Sequence, residues 1–348
     1  MAVTTIAMMT EAIKNRYYDE LFLTVSEKNL VHTQLGQLNR NVPKGENAYA
    51  VYWTRWKPLA AISSGSGEGV ATSTVNMSAV NVTGTVAQYD NAITISDVLA
   101  ETSMGDIMKE AVRQLGYNAG LTIDTKVRDS IVEGGTLHLA GVATADTSLT
   151  NWSAIPRTAV LSIGELRKAT RSLMLADAQA PDSKVSMSQG QSVSTNPGAG
   201  MGGYWAAVIS PDSVYDLQGD GSTGAWVDAN RYAGADKLFS GEVGKLYGIR
   251  FLQSSNAKSH AEKNGAVTSR SAIVASGIID ETLVVGANYF GVTKLQQLQT
   301  FIKPFGQAIA GDITNKVAGA GWKTTFGTSV LYSSFASTIM HSIGRNAE

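Results

Sequence analysis

The chain has 348 residues, 28 Lys plus Arg against 29 Asp plus Glu, a formal net charge of −1 and no cysteine. The missing cysteines exclude disulfide staples, thiolate zinc sites, iron–sulfur clusters and cysteine nucleophiles. The near-zero charge argues against a dedicated nucleic-acid binder, which draws its affinity from Lys and Arg on phosphates.

Composition points further. At 43% hydrophobic and 16% charged, with 35 glycines, the chain can fold but carries less charge than the usual ~25%. Such a chain must hide polar, uncharged surface, and contact with other chains is one way, since interface cores are depleted of charge.

Residues 1–40 read as an arm. Ile6, Met9, Ile13, Tyr17, Leu21 and Leu30 recur loosely, with charges between them. Glu11, Lys14 and Arg16 interrupt the start, so no secretory signal is expected. No stretch approaches the ~18 apolar residues of a membrane span. Asn41 to Gly45 (NVPKG) signals a turn. Tyr49, Val51, Tyr52, Trp53 and Trp56 have a strand composition. From Leu59 to Tyr89 the only charged residue is Glu68, and Ser63 to Gly69 (SSGSGEG) reads as a flexible tip. Val80, Val82 and Val86 then alternate with polar residues at period two. The pattern predicts a long hairpin, which is barely stable alone. It lies either on its own domain or against another chain.

From Ile107 to Ile131 apolar residues recur every four positions: Ile107, Ala111, Leu115, Ala119, Ile123, Val127, Ile131. Ser103 with Asp106 resembles a capping box, and Gly134-Gly135 stops the run. The spacing predicts one long helix laid over a sheet, because a period of four drifts off a coiled-coil seam. Ser162 with Glu165 predicts a second capped helix. Residues 177–203 read as a polar loop, Tyr204 to Ile209 as a buried strand and Ser210-Pro211 as the start of a helical turn through Leu217. Residues 238–252 read as turn, short element and strand, and 272–286 as two short strands or a strand and loop. The end, from Phe301 to Met340, is strand-like around Gly321-Trp322-Lys323.

Chemistry-bearing motifs are sparse. His32, His138, His260 and His341 have no partners at metal-ligand spacing and read as surface or satisfied core residues. Gly219, Gly221 and Gly224 match a dinucleotide fingerprint, but Tyr215 to Leu217 before them reads as the end of a helix rather than a strand. Asp216, Asp220 and Gly221 resemble the start of a calcium loop that lacks its closing Glu. Trp53 and Trp56 beside Arg55 and Lys57 could stack on bases. A sheet or interface anchor is the preferred reading, since Trp and Arg dominate interface hot spots.

Several stretches together resemble a known family. They are Thr85 to Tyr89 with Ile95 to Asp97, Tyr204 to Leu217 (YWAAVISPDSVYDL), Phe239 to Phe251 (FSGEVGKLYGIRF), and Lys303-Pro304 with Gly321-Trp322-Lys323. Their order resembles the major capsid protein of tailed phages, with the Hong Kong 97 shell fold, and more closely its N-four-like subfamily. Asp312-Ile313-Thr314 departs from the Asp-Pro-Leu usual in that family.

The resemblance implies an α+β fold in four parts: an N-terminal arm (1–40), an extended hairpin loop (41–96), a peripheral domain (97–150 and 300–348) with a spine helix at about 104–133, and an axial domain (151–299). It implies no catalytic, cofactor or metal residues. It implies self-assembly into hexamers and pentamers of an icosahedral head, with double-stranded DNA touched non-specifically on the inner face. Portal, scaffolding and decoration proteins would be partners and a membrane would not. The location would be the virion, after assembly in the host cytoplasm. Candidate assembly residues are Trp53, Arg55, Trp56, Glu68, Val82, Gly241, Glu242, Gly244, Trp322 and Lys323. The alternatives are an encapsulin-type compartment shell and a hydrolase using Asp216 or Asp228.

Overall fold

The computed structural model of the chain describes residues 19–26, 30–38, 50–57, 59–62, 69, 74–103, 105–141, 155–156, 158–178, 180, 204–219, 226–228, 241–259, 279–305, 314 and 316–344. Along the chain, helix α1 spans residues 19–26. Strands β1 (Gln37–Leu38), β2 (Ala50–Trp56), β3 (Ala79–Thr85) and β4 (Ala87–Ser96) lead to helices α2 (Asp97–Thr102) and α3 (Ile107–Val132). Then come β5 (Thr136–Leu139), α4 (Ile163–Leu175), β6 (Trp205–Ile209), α5 (Pro211–Gly219), β7 (Val227–Asp228), β8 (Glu242–Leu246) and β9 (Ile249–Gln253). Strands β10 (Ile279–Val285), β11 (Phe290–Lys303), β12 (Val317–Val330) and β13 (Ala336–Ser342) follow.

The four-residue apolar spacing produces α3, whose 26 residues make a rod of ~39 Å. Ala111, Leu115, Ala119, Val127 and Ile131 of that stripe are buried, and Val112, Gly116, Gly120, Asp124 and Val132 bury a second stripe beside it. The cap differs from the expected Ser103. Asp106 caps the helix by accepting from the Lys109 N–H at 3.1 Å, while the Ser103 hydroxyl accepts from Gly105. A carboxylate suits the positive end of a helix better than a hydroxyl does. Helix α4 starts after Ser162 as expected, but Ser162 makes no side-chain cap bond. Glu165 faces the buried side of α4 and pairs with Lys168 at 2.8 Å instead.

One sheet has the order β1-β11-β12-β4. Strand β12 alternates along its first ten residues. Ala320 and Trp322 turn under Val112, Leu115 and Ala119 of α3, while Gly319, Gly321 and Lys323 turn outward. The other sheet has the order β5-β13-β10-β6-β9-β8-β7. Strand β10 is buried at every position, as expected of a strand covered on both faces. Leu166 and Leu173 of α4 pack with Val284 on one face. Val127, Ile131 and Val132 of α3 pack with Leu283 and Val285 on the other.

The chain changes sheet between β10 and β11 and again between β12 and β13. Tyr289 clamps this crossing. Its carbonyl accepts from the N–H groups of Leu331 (2.7 Å) and Tyr332 (3.2 Å). Its hydroxyl donates to the Ile131 carbonyl at the end of α3, and burial pushes the phenol well above its ordinary pKa.

Candidate assembly surfaces

Strands β3 and β4 form one ribbon broken at Val86. Strand β4 pairs with β12, whereas β3 leaves that sheet and pairs with β2 from Ala50↔Thr85 to Trp56↔Ala79. The first face of this hairpin carries Val51, Trp53 and Arg55, with Val80, Val82 and Gly84 beside them, all buried or half-buried. The Trp53 indole lies against Gly84 and Gly291. A Cβ at Gly291 would come within 2.9 Å of it, so glycine is needed there for the close approach. Arg55 sits 4.6 Å over the Tyr332 ring and donates to the Leu331 carbonyl at 3.1 Å. Tyr332 in turn stacks on Phe335. The base of the hairpin is thus fixed to its own chain at the sheet crossing. Trp53, Arg55 and Val82 serve that intrachain anchor.

Further out the surface changes character. Tyr52 and Trp56 lie on the opposite face of β2, 57% and 58% exposed. Beyond them Leu59, Ile62, Val75 and Met77 are exposed too, Ile62 at 84%. The Lys57 N–H to Ser78 carbonyl bond (2.9 Å) holds the two limbs together. Large apolar side chains are thus left uncovered in the single chain beyond the anchored base. The low charge between Leu59 and Tyr89 signalled this region, although no one of these four residues stood out in the sequence. Glu68 lies outside the described residues.

The remaining candidates fall elsewhere. Gly241 is in the exposed turn before β8. Glu242 is buried and pairs with Arg250 across β8 and β9 at 3.4 Å, and Arg250 lies 4.7 Å over the Tyr204 ring. Gly244 is buried where the β8–β9 register shifts. Trp322 is 2% exposed beneath α3, and its indole N–H donates to Asn118 at 3.2 Å. Lys323 turns outward, opposite Asp90 in register, at the rim of a groove of about 520 Å³ that Ala92, Phe301 and Gly321 also line.

Two buried polar clusters complete the picture. His341 is fully buried, and its imidazole Nδ1 donates to the Ser342 carbonyl at 3.0 Å. That tautomer leaves Nε2 to accept from the Thr282 hydroxyl at 3.0 Å. Asp280 accepts from Ser210 and Ser213 and does not orient the imidazole. These are the residue types of a hydrolytic triad, but the carboxylate bonds the serines rather than the imidazole and the group is sealed from solvent, each at most 4% exposed. Burial pushes the His341 imidazole below its ordinary pKa, and it does the same to His138. Asp216, the hydrolase candidate, accepts from the Gly344 N–H at 2.9 Å and ties down the C-terminal segment. Asp228 lies in β7, in register with Gly244. Gly219 ends α5, while Gly221, Gly224 and His260 lie outside the described residues.

The second cluster surrounds Asp124, which accepts from the His32 ring, from two backbone N–H groups and from Asn256. His32 is therefore a satisfied core residue, one of the two readings that the sequence left open. Among the described residues no three His, Asp or Glu side chains stand together as a metal site.

No protein-family model matches the sequence, and no curated protein does. Solved structures do match. The capsid of Ralstonia phage GP4 aligns with a TM-score of 0.60 at 13% identity, over 85% of this chain and 84% of that one. The capsid of cyanophage Pam1 gives 0.58 at 14%, over 86% and 87%. The capsid of cyanophage P-SCSP1u gives 0.57 at 15%, over 90% and 88%. This mixed α+β chain therefore has a fold seen in phage capsids.

Proposed function

We propose that the chain is the major capsid protein of a tailed phage, with the Hong Kong 97 fold and of the N-four-like subfamily. It would assemble into hexamers and pentamers of an icosahedral head around double-stranded DNA. The observation that carries this reading is the fold likeness, which extends over 90% of this chain and 88% of a capsid chain. The split hairpin supports it: the base is locked to its own chain, and the limbs project uncovered apolar residues that a neighbouring copy would cover.

In this reading residues 1–40 are the arm, 41–96 the extended loop, 97–150 with 300–348 the peripheral domain and 151–299 the axial domain. Hydrogen bonding crosses those ranges, because β5 and β13 join β10 and β6 in one sheet. Scaffolding, portal and decoration proteins would be the partners, and assembly in the host cytoplasm would precede the virion. The reported neighbours are phage capsids, which favours a genome container over an encapsulin.

Expression followed by light scattering and negative-stain microscopy tests the proposal. Shells or capsomer rings are expected, with a scaffolding protein supplied if needed. A species that stays at 36.7 kDa across salt and concentration, with phage partners present, would overturn it.

A further inference from the structure

Asp124 sits in the middle of α3, where a charge is costly unless its oxygens are satisfied. It is fully buried and has four donors. Oδ1 accepts from the backbone N–H groups of Val31 (2.9 Å) and His32 (2.8 Å). Oδ2 lies 2.8 Å from His32 Nδ1 and accepts from Asn256 Nδ2 at 3.0 Å. Asn256 is held in turn, because its carbonyl and side-chain oxygens accept from Arg128 at 2.8 and 2.9 Å. One carboxylate therefore joins the N-terminal arm, the long helix and the turn after β9.

The arm's other described attachments lie off α3: Asp19 accepts from the Thr300 hydroxyl, Leu35 packs against the Tyr289–Phe290 cluster and β1 pairs with Gly291 and Val292 of β11. Residues 19–26 form two turns of helix, His32–Leu35 a single 3₁₀ turn and β1 only two residues. Helices this short do not stand by themselves. Among the described arm residues Phe22 and His32 are both buried. Phe22 lies over Gly116, where a Cβ would meet the Phe22 carbonyl oxygen at 2.8 Å. On α3 itself the arm is thus held at two places, Phe22 over Gly116 and His32 at Asp124.

We propose that Asp124 is a latch for the N-terminal arm: with the carboxylate ionised, residues 19–36 are docked against α3, and with it neutralised they detach while the two sheets stay folded. Release would remove Phe22 from the cluster of Val112, Leu115 and Ala119, which Ala320 and Trp322 still cover from the sheet side. The charged groups around the latch are few. His32 faces it from the arm, Arg128 stands one turn along α3, and Lys258 in the turn is engaged with Glu133 at 3.1 Å. Burial pushes the Asp124 carboxyl up, but the His32 and Asn256 bonds outweigh it and hold the carboxyl below its ordinary value. Docking is therefore present above the ordinary carboxylate range and lost as pH falls through Asp124's own lower value. The inference does not depend on the capsid reading, since it concerns one chain.

Hydrogen exchange read by mass spectrometry on the full chain at neutral pH tests it. Asp124→Asn keeps the shape and removes the charge. The expected result is at least ~10-fold faster exchange in peptides covering 19–36, with β6 and β10 within ~2-fold of the parent, as selective local opening requires. His32→Gln, which keeps both backbone donors, should give a smaller increase in the same peptides and serves if Asp124→Asn does not fold. Unchanged arm protection in the variant that folds would overturn the proposal. So would α3 and β10 losing protection together with the arm, because Asp124 would then support the whole core.

Discussion

Charging the hairpin limb separates folding from assembly. In Ile62→Asp/Met77→Asp the altered side chains are 84% and 67% exposed in the single chain. Surface changes of this kind move stability by only about ±0.5 kcal/mol each, so the dissociated subunit should melt within about 4 °C of the parent. Against a neighbour the arithmetic differs. Fully burying an Ile or Met is worth about 1.5–3 kcal/mol. Scaled by the fraction still exposed, the two together give about 2–5 kcal/mol per contact. At ~1.4 kcal/mol per tenfold, that is ~30-fold to several thousand-fold in pairwise association, before the cost of burying two carboxylates. Sedimentation velocity with calorimetry on the same samples reads both quantities. A cooperative melt with lost shells is the expected pattern. Parental yields of full-size shells would show the limb to be a surface ornament, and a melting point lowered by much more than 4 °C would place it in the chain's own core. Val82→Asp is not an equivalent probe, because Val82 shares the anchored face with Trp53.

Other consequences follow from the core and the buried histidines. Leu115 is 2% exposed among Phe22, Val112 and Trp322, so Leu115→Ala should cost about 2–5 kcal/mol. Chemical denaturation of the dissociated subunit checks this, and an unchanged midpoint would mean that the helix face is not a core face. Trp53→Ala should destabilise the hairpin base by about 3 kcal/mol and raise hydrogen exchange in β2 and β3 with little change in β9, because its indole fills the space over Gly84 and Gly291. The His341 imidazole is held below its ordinary pKa, so the unfolded chain takes up the proton first as pH drops below ~6.5. Stability attributable to His341 is then present above that value and lost as pH falls toward the folded-state value. The melting temperature should decline from neutral pH to pH ~5, and the decline should be shallower in His341→Asn, once any change at neutral pH is subtracted.

Period and composition settled what is local. Four-residue apolar spacing is enough to specify α3, because helix geometry places those side chains on one stripe wherever the helix ends up. Alternation at Val80 and Val82, with an almost uncharged stretch beyond, specified a ribbon with somewhere to dock. The lack of partnered histidines was equally local, and His32 and His341 are satisfied inside the core. Strand β11 escaped because Lys294 to Thr300 (KLQQLQT) has neither β-branched enrichment nor clean alternation. Its strand state comes from pairing with β12 on one side and β1 on the other. Phe22 and Asp124 escaped for a related reason. Nothing in the order of residues says that an arm folds back onto a helix some ninety positions away, and only the tertiary fold turns a mid-helix carboxylate into a receptor for His32. The division of the hairpin was also decided in three dimensions. Trp53 and Trp56 are three residues apart on one strand, and side-chain alternation sends one into the sheet crossing and the other outward.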